Sequence, residues 1–203
     1  MKKFSVLISS LLICLLTACS PVKDQITNQY RLSAYSILKS HDYIRQTIFV
    51  SHPESVAGYD TNEMLYIKKQ FEVNSFVHNA WTDPPADMLF PLILQSLQES
   101  HLFFAVASSP HVESAYYRLD TQVIEFHQNF LTRPSQLDFT VKVVLTHAND
   151  NTVIASHIIR KHILCPMDTP YGGVIAANIA AKQFTADLLA FIKSHVKQDS
   201  PSK

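Results

Sequence analysis

The most constraining feature of this sequence is an unbroken alternation in which Leu137, Phe139, Val141, Val143 and Leu145 are apolar and the residues between them are polar or mixed. Successive side chains of a strand point to opposite faces, so the pattern describes a strand with one face committed to a core. Asn149-Asp150-Asn151 follows as a tight turn signal. Residues 152–164 then resume an extended rhythm, which predicts an antiparallel hairpin, and residues 116–130 read as a further long strand before it. Together they predict a three-strand meander.

Around this frame the chain divides into short extended runs and two helices. Residues 30–37 and 43–50 read as strands, the second with Ile44, Ile48, Phe49 and Val50 as core candidates. Residues 51–62 hold Pro53, Gly58 and Asp60 and read as a loop. Residues 64–68, 71–78 and 102–107 are extended. Between them the period changes, because Met88, Leu89, Leu92, Ile93, Ser96 and Leu97 recur at helical steps. That helix is expected over 84–100, with Asp83 as its cap, Pro84 in its first turn, Asp87 at the positive end of its dipole and a kink at Pro91. A second helix is expected over 174–197, since Ala177, Ala181, Phe184, Leu188 and Phe191 form one stripe opposite Lys182, Asp187 and Lys193. The fold class is therefore α/β: one domain, residues 30–197, with a mixed, largely antiparallel sheet on which two main helices pack.

The first eighteen residues belong to a different kind of segment. Lys2 and Lys3 precede an apolar run, and the run closes on Leu16-Thr17-Ala18-Cys19. This is the basic, apolar, small-residue layout of a secretory signal, and it is shorter than the about 20 apolar residues that a membrane-spanning helix needs. The last four residues match a lipobox, so cleavage between Ala18 and Cys19 is expected to leave Cys19 carrying diacylglycerol and an N-acyl chain. Ser20 after the Cys, where Asp favours inner-membrane retention, points to the periplasmic face of the outer membrane. Residues 20–29 are polar and, at about 3.3 Å each, form a tether of roughly 33 Å. A polar tail, 198–203, closes the chain.

Composition removes several classes of function. Without residues 1–18 the chain holds 15 Lys and Arg against 17 Asp and Glu, so no basic excess exists to neutralise nucleic-acid phosphates. There are three glycines, Gly58, Gly172 and Gly173. A phosphate-binding loop or dinucleotide fingerprint needs more of them within a short span, and no Gly-x-Ser-x-Gly elbow is present. No nucleotide or other cofactor is expected. Of the cysteines, Cys14 leaves with the signal and Cys19 is acylated; Cys165 alone remains, so no internal disulfide can form and a buried, inert thiol is expected.

Several words at the element boundaries carry a likeness. Gly58-Tyr59-Asp60-Thr61-Asn62 is followed by Met64 and Tyr66, and Trp81-Thr82-Asp83-Pro84-Pro85-Ala86-Asp87-Met88-Leu89 leads to Pro91-Leu92. Later come Tyr117-Arg118-Leu119-Asp120, Asp168-Thr169-Pro170-Tyr171-Gly172-Gly173-Val174 and Ala176-Ala177-Asn178. In this order, behind a lipobox, they resemble the ABC-type transport auxiliary lipoprotein family, the PqiC-like group. The resemblance implies a periplasmic α/β domain anchored in the outer membrane and working beside an MCE-type periplasmic protein and an inner-membrane ABC or PqiA-like component that move lipid between the membranes. It implies no enzymatic activity. Residues 33–46 and 135–164 match only in strand pattern.

Each sharper reading has a plainer rival. Tyr59, Asp60, Trp81 and Tyr171 are candidates for a partner surface, while Trp81 equally suits core packing at the helix entrance and Asp60 a structural turn. Gly172-Gly173 before a helix could receive an anion, although no basic residue lies near and a turn requirement explains the pair. His157 and His162 are five apart on a strand and face opposite ways, so they do not share a metal ion. Asp83 and Asp87 lie one helical turn apart, as an acid and base could, but capping and the helix dipole account for both, and no catalytic residue is assigned. A lipid carrier or sensor with its own apolar pocket is the alternative reading, and a cell-envelope hydrolase a remoter one. Self-association of the domain would suit a conduit.

Overall fold

A computed structural model describes residues 28–110 and 115–199, so the lipobox, Ala18, Cys19, most of the tether and nearly all of the polar tail lie outside the described residues. The architecture is organised by one strand, β7 (Tyr117–Asn129). One of its edges pairs antiparallel along its whole length with β8 (Gln136–His147), from Tyr117↔His147 to Asn129↔Gln136. Its other edge receives three short strands in succession, all parallel: β2 (Ile44–Val50), β3 (Glu54–Ser55) and β4 (Glu63–Lys69). From there β2 pairs with β6 (Phe103–Ala107), β4 with β5 (Glu72–Trp81), and β5 with β1 (Asn28–Tyr30). On the far side β8 pairs antiparallel with β9 (Val153–Leu164). Among the described residues the sheet has nine strands.

Two helices, α1 (Pro85–Ser100) and α2 (Pro170–Asp199), contact each other and share one core with the sheet. The alternation that predicted β8 places Leu137, Phe139, Val141, Val143 and Leu145 in that core, each at most 2% exposed. Phe139 meets Phe184 of α2 edge to face, ring centroids 5.5 Å apart. Burying a side chain of this size contributes about 1.5–3 kcal/mol. The predicted stripes of both helices are buried throughout. By length and apolar content α2 could cross a membrane, yet 56% of its most apolar window is buried in the domain, as befits a core helix.

The meander, the strand over 43–50 and the helix faces agree with expectation, and three local expectations do not. Residues 30–37 do not form a strand: β1 ends at Tyr30, and residues 31–43 run as an irregular strap along α2. Its backbone donors find helix side chains instead of a strand. The N–H groups of Ser33 and Ala34 donate to Asn178 Oδ1 at 2.8 and 3.2 Å, and Ser36 N–H donates to Thr185 Oγ1 at 2.8 Å. Asp42 then closes the strap on Lys193 and Lys197, at 2.7 and 2.9 Å. These two bonds hold its carboxyl at about 2, below the ordinary 3.8.

Asp83 does not cap α1. The helix begins one residue later than expected, Pro84 occupies the cap position, and no side chain bonds there. The helix also continues through Pro91, which lies in its interior on the exposed side. The third difference concerns α2, which begins at Pro170, so Tyr171-Gly172-Gly173 is already helical. Thr169 is the cap: its Oγ1 accepts from Gly172 N–H at 3.2 Å and its carbonyl from Gly173 N–H at 3.1 Å. Pro170 takes the first helical position, where its missing N–H costs nothing. The two glycines answer to close packing, not to a turn. A Cβ on Gly172 would lie 2.0 Å from the Met167 carbonyl oxygen, and one on Gly173 2.6 Å from Gln128 Oε1.

Candidate functional site

The face of the sheet away from the helices carries a polar row set by strand register. His127 of β7 lies opposite Asp138 of β8, which lies opposite His162 of β9. Cross-strand partners stand about 5 Å apart, close enough for their polar ends to meet. Asp138 Oδ1 is 2.7 Å from His162 Nδ1, and Oδ2 is 3.5 Å from His127 Nε2. Asn129 donates to Oδ2 and Gln136 to Oδ1, both at 2.8 Å. Asp138 is 7% exposed. Burial raises its pKa, and the bonds from His127, His162 and Asn129 outweigh that effect, leaving the carboxyl well below its ordinary value.

A loop residue completes the row. Tyr59 brings its hydroxyl 2.9 Å from His127 Nδ1, with the two rings stacked at 6.0 Å. An ionised carboxylate only accepts, so the nitrogens facing Asp138 carry hydrogen; in the neutral tautomer of His127 its Nδ1 then accepts from Tyr59. Burial, with the charges of Glu125 and Asp138, pushes the Tyr59 hydroxyl up to about 12. A phenol shifted in that direction keeps its proton and acts as a donor, which makes this chain of groups a latch rather than an activated nucleophile. His52 fastens the other end of the loop, 3.2 Å from Asp87 of α1 and 4.7 Å from the Phe90 ring. Gly58 between them adopts φ +95°, open to glycine without strain.

Beside the latch lies an open cleft of about 510 Å³ containing Ser51, Glu54, Arg118, Asp120 and Lys142. Arg118 is committed to Asp120 at 2.9 Å and to Ser51 at 3.1 Å. Lys142 forms no ion pair among the described residues. No three His, Cys, Asp or Glu side chains among the described residues converge as metal ligands; Asp138 offers one oxygen to each imidazole, so the row runs through the carboxylate instead of around a common point.

The four residues proposed as a partner surface fall into different settings. Asp60 is exposed, and Tyr171 is 54% exposed with its ring 6.1 Å from that of Tyr30. Tyr59 is half-buried in the latch. Trp81 is 2% exposed, packed 5.2 Å from Phe126, and is withdrawn from any partner surface because the helix entrance buries it. Of the histidines, His162 belongs to the latch and His157 stacks on Phe191 of α2, on the opposite face. Asp83 and Asp87 are not joined by any bond, since Asp87 is turned to His52. Cys165 is buried, and desolvation raises its thiol above the ordinary value.

Solved structures share the fold that carries these residues. The crystal structure of protein XCC0632 from Xanthomonas campestris, described as DUF330, superposes with a TM-score of 0.78 at 17% identity, covering 86% of this chain and 100% of that one. The fold is the same. An uncharacterized protein follows with a TM-score of 0.66 at 16% identity, covering 82% of this chain and 99% of that one. The hypothetical protein CT253 from Chlamydia trachomatis reaches 0.55 at 7% identity, with 75% and 98% covered. No family profile and no curated protein matches the sequence. At these identities the likeness is one of fold.

The words that carried the family likeness are structural fasteners in this fold. Tyr59 makes the latch, Arg118 and Asp120 the ion pair at the cleft, and Asp168 accepts from Ser135 N–H at 2.6 Å, which lowers its pKa. Thr169 caps α2, and Asn178 holds the strap. Sequence reasoning missed His127 and Asp138 altogether. The pairing register puts His127, Asp138 and His162 on one line, but a bulge between Val123 and Glu125 and another beside Leu145 and Thr146 each shift that register by one residue, so the turn at 149–151 and the strand lengths alone do not reveal the row.

Proposed function

We propose that the chain is an outer-membrane-anchored periplasmic lipoprotein acting as a non-enzymatic accessory of an MCE/ABC-type intermembrane lipid transport system. The observation that carries this reading is the lipobox Leu16-Thr17-Ala18-Cys19 in front of a domain with the ordered family words, and the fold shared with the DUF330 protein supports it. The role is positional. Acyl chains on Cys19, each buried CH₂ contributing about 0.8 kcal/mol, hold the polar tether at the membrane while the domain docks a periplasm-spanning MCE-type protein and its inner-membrane ABC or PqiA-like partner. Asp60 and Tyr171, both exposed, and the half-buried Tyr59 are the candidates for contact with them.

A positional role also suits the interior. The apolar void bordered by Met64, Trp81, Phe126 and Gly173 is about 10 Å³, room for about one water and none for an acyl chain, which speaks against that void as a lipid carrier's pocket. The test is crosslinking in intact cells followed by purification through the chain. An MCE-type or ABC-type component should copurify; its repeated absence under conditions that retain known envelope complexes would sink the reading.

A further inference from the structure

We propose that the free edge of β9 is a docking site for an extended segment of a partner protein in which apolar and acidic residues alternate. β9 runs for twelve residues and pairs only with β8 among the described residues. Its outer edge therefore presents a row of unpaired N–H and C=O groups. Sheets blunt such edges with prolines, bulges, short strands, inward-pointing charges or covering elements. Here there is no proline between Val153 and Leu164, the one irregularity of register falls near the start of the strand, between Leu145 and Thr146 of β8 and their partners, the one inward lysine, Lys161, is spent on Asp187 of α2, and the strand is long.

The edge opens onto a built groove. A cleft of about 660 Å³ runs between residues 156–160 of β9 and residues 187–195 of α2. Its floor is a ring stack in which Phe191 lies between His157, at 6.0 Å, and His195, at 4.6 Å. A strand laid beside β9 would alternate its side chains, one set over Phe191 and Ala190, the other on the outer face beside Ile158 and Arg160. The first setting is aromatic, with Phe191 and Ala190 flanked by His157, Ser194 and His195. The second is cationic, because Arg160 has no ion pair among the described residues, whereas the carboxylate in the groove, Asp187, is already neutralised by Lys161. That charge balance selects acidic residues at the outward positions of the incoming segment. Backbone pairing then supplies affinity and the alternate side chains specificity, as in other strand additions.

The inference stands on strand geometry and charge, so its failure would leave the anchoring reading untouched. The test uses the full chain and two synthetic peptides of about twelve residues, enough at roughly 3.4 Å per residue to span β9, one alternating valine with glutamate and one valine with lysine. Hydrogen exchange should slow in β9 on adding the glutamate peptide and nowhere else in the sheet, and that peptide should bind about tenfold tighter than the lysine peptide, the factor expected from about 1.4 kcal/mol of charge complementarity. Arg160→Glu should reverse the preference. The proposal is overturned if neither peptide protects β9, if protection falls on another element, or if both peptides bind wild type equally. It is likewise overturned if β9 becomes protected by raising the protein concentration alone, which would make a second copy the occupant.

Discussion

The Tyr59 hydroxyl and His127 Nδ1 are hydrogen-bonded across 2.9 Å, and this bond ties a glycine-containing loop to the strand that organises the sheet. The same imidazole reaches Asp138, so the loop is coupled through one ring to a buried carboxylate and, beyond it, to the edge strand.

Removing the hydroxyl tests the latch directly. Tyr59→Phe should lower stability by about 1 kcal/mol, the net value of a hydrogen bond, and hydrogen exchange should quicken across residues 54–61 while α2 keeps its protection. Unchanged exchange in that loop would mean that the ring stacking alone holds it.

Replacing the carboxylate should cost more. Asp138→Ala takes away the carboxylate that Asn129, Gln136 and His162 bond, and losing hydrogen bonds to a buried charged group costs about 1.5–3 kcal/mol, read by urea unfolding. The effect has a pH sign. Because the folded-state pKa is depressed, the stabilisation is fully present above the unfolded value of about 3.9 and is lost as pH falls through the folded value. The gap between wild type and variant should therefore narrow progressively below about pH 4, and a gap that widens in acid contradicts the assignment.

The glycines of α2 give a graded prediction. Alanine in a helix is ordinarily favoured over glycine by about 1 kcal/mol, yet Gly172→Ala pushes a methyl against the Met167 carbonyl at 2.0 Å and Gly173→Ala against the Gln128 side-chain oxygen at 2.6 Å. Both variants should be less stable, by about 1–3 kcal/mol. Gly172→Ala should melt at the lower temperature, since its obstacle is backbone and Gln128 is a side chain.

At the strap, Asp42→Asn should loosen residues 37–43 from α2, seen as faster proteolysis and exchange there, while Ser33, Ala34 and Ser36 stay held by Asn178 and Thr185. Acid should mimic the substitution. With its carboxyl lowered from 3.8 to about 2, Asp42 supports the folded state above pH 3.8 and loses that contribution as pH falls towards 2.

For the anchor, Cys19→Ser should move the chain from the membrane to the soluble fraction with its circular dichroism unchanged. A soluble variant that still complements a deletion would show that attachment is dispensable.

Much of the fold was legible because long amphipathic patterns are dictated by burial. The alternation of β8 and the stripe through Ala177, Phe184 and Leu188 left one way to cover their apolar faces. The failures share a cause. Residues 30–37 have strand-like sequence, but Asn178 and Thr185, some 150 positions away, satisfy their backbone; periodicity carries no information about such partners. Likewise Asp138 reads as an ordinary polar position within an alternating run, and only three-strand register reveals what it joins. Gly172 and Gly173 were visible as unusual, while the reason for them sits on Met167 and Gln128.

The strap has a mechanical meaning. A chain held by its N-terminal end delivers any pull to Asn28 first, and the load must then pass a series of separate fasteners before it reaches a core strand: the β1–β5 ladder, Asn178, Thr185, and the Asp42 clamp on two lysines. Each can open without disturbing β2 or β7. The domain thus carries its own length of releasable slack, wound along α2, between the edge strand β1 and the inner strand β2.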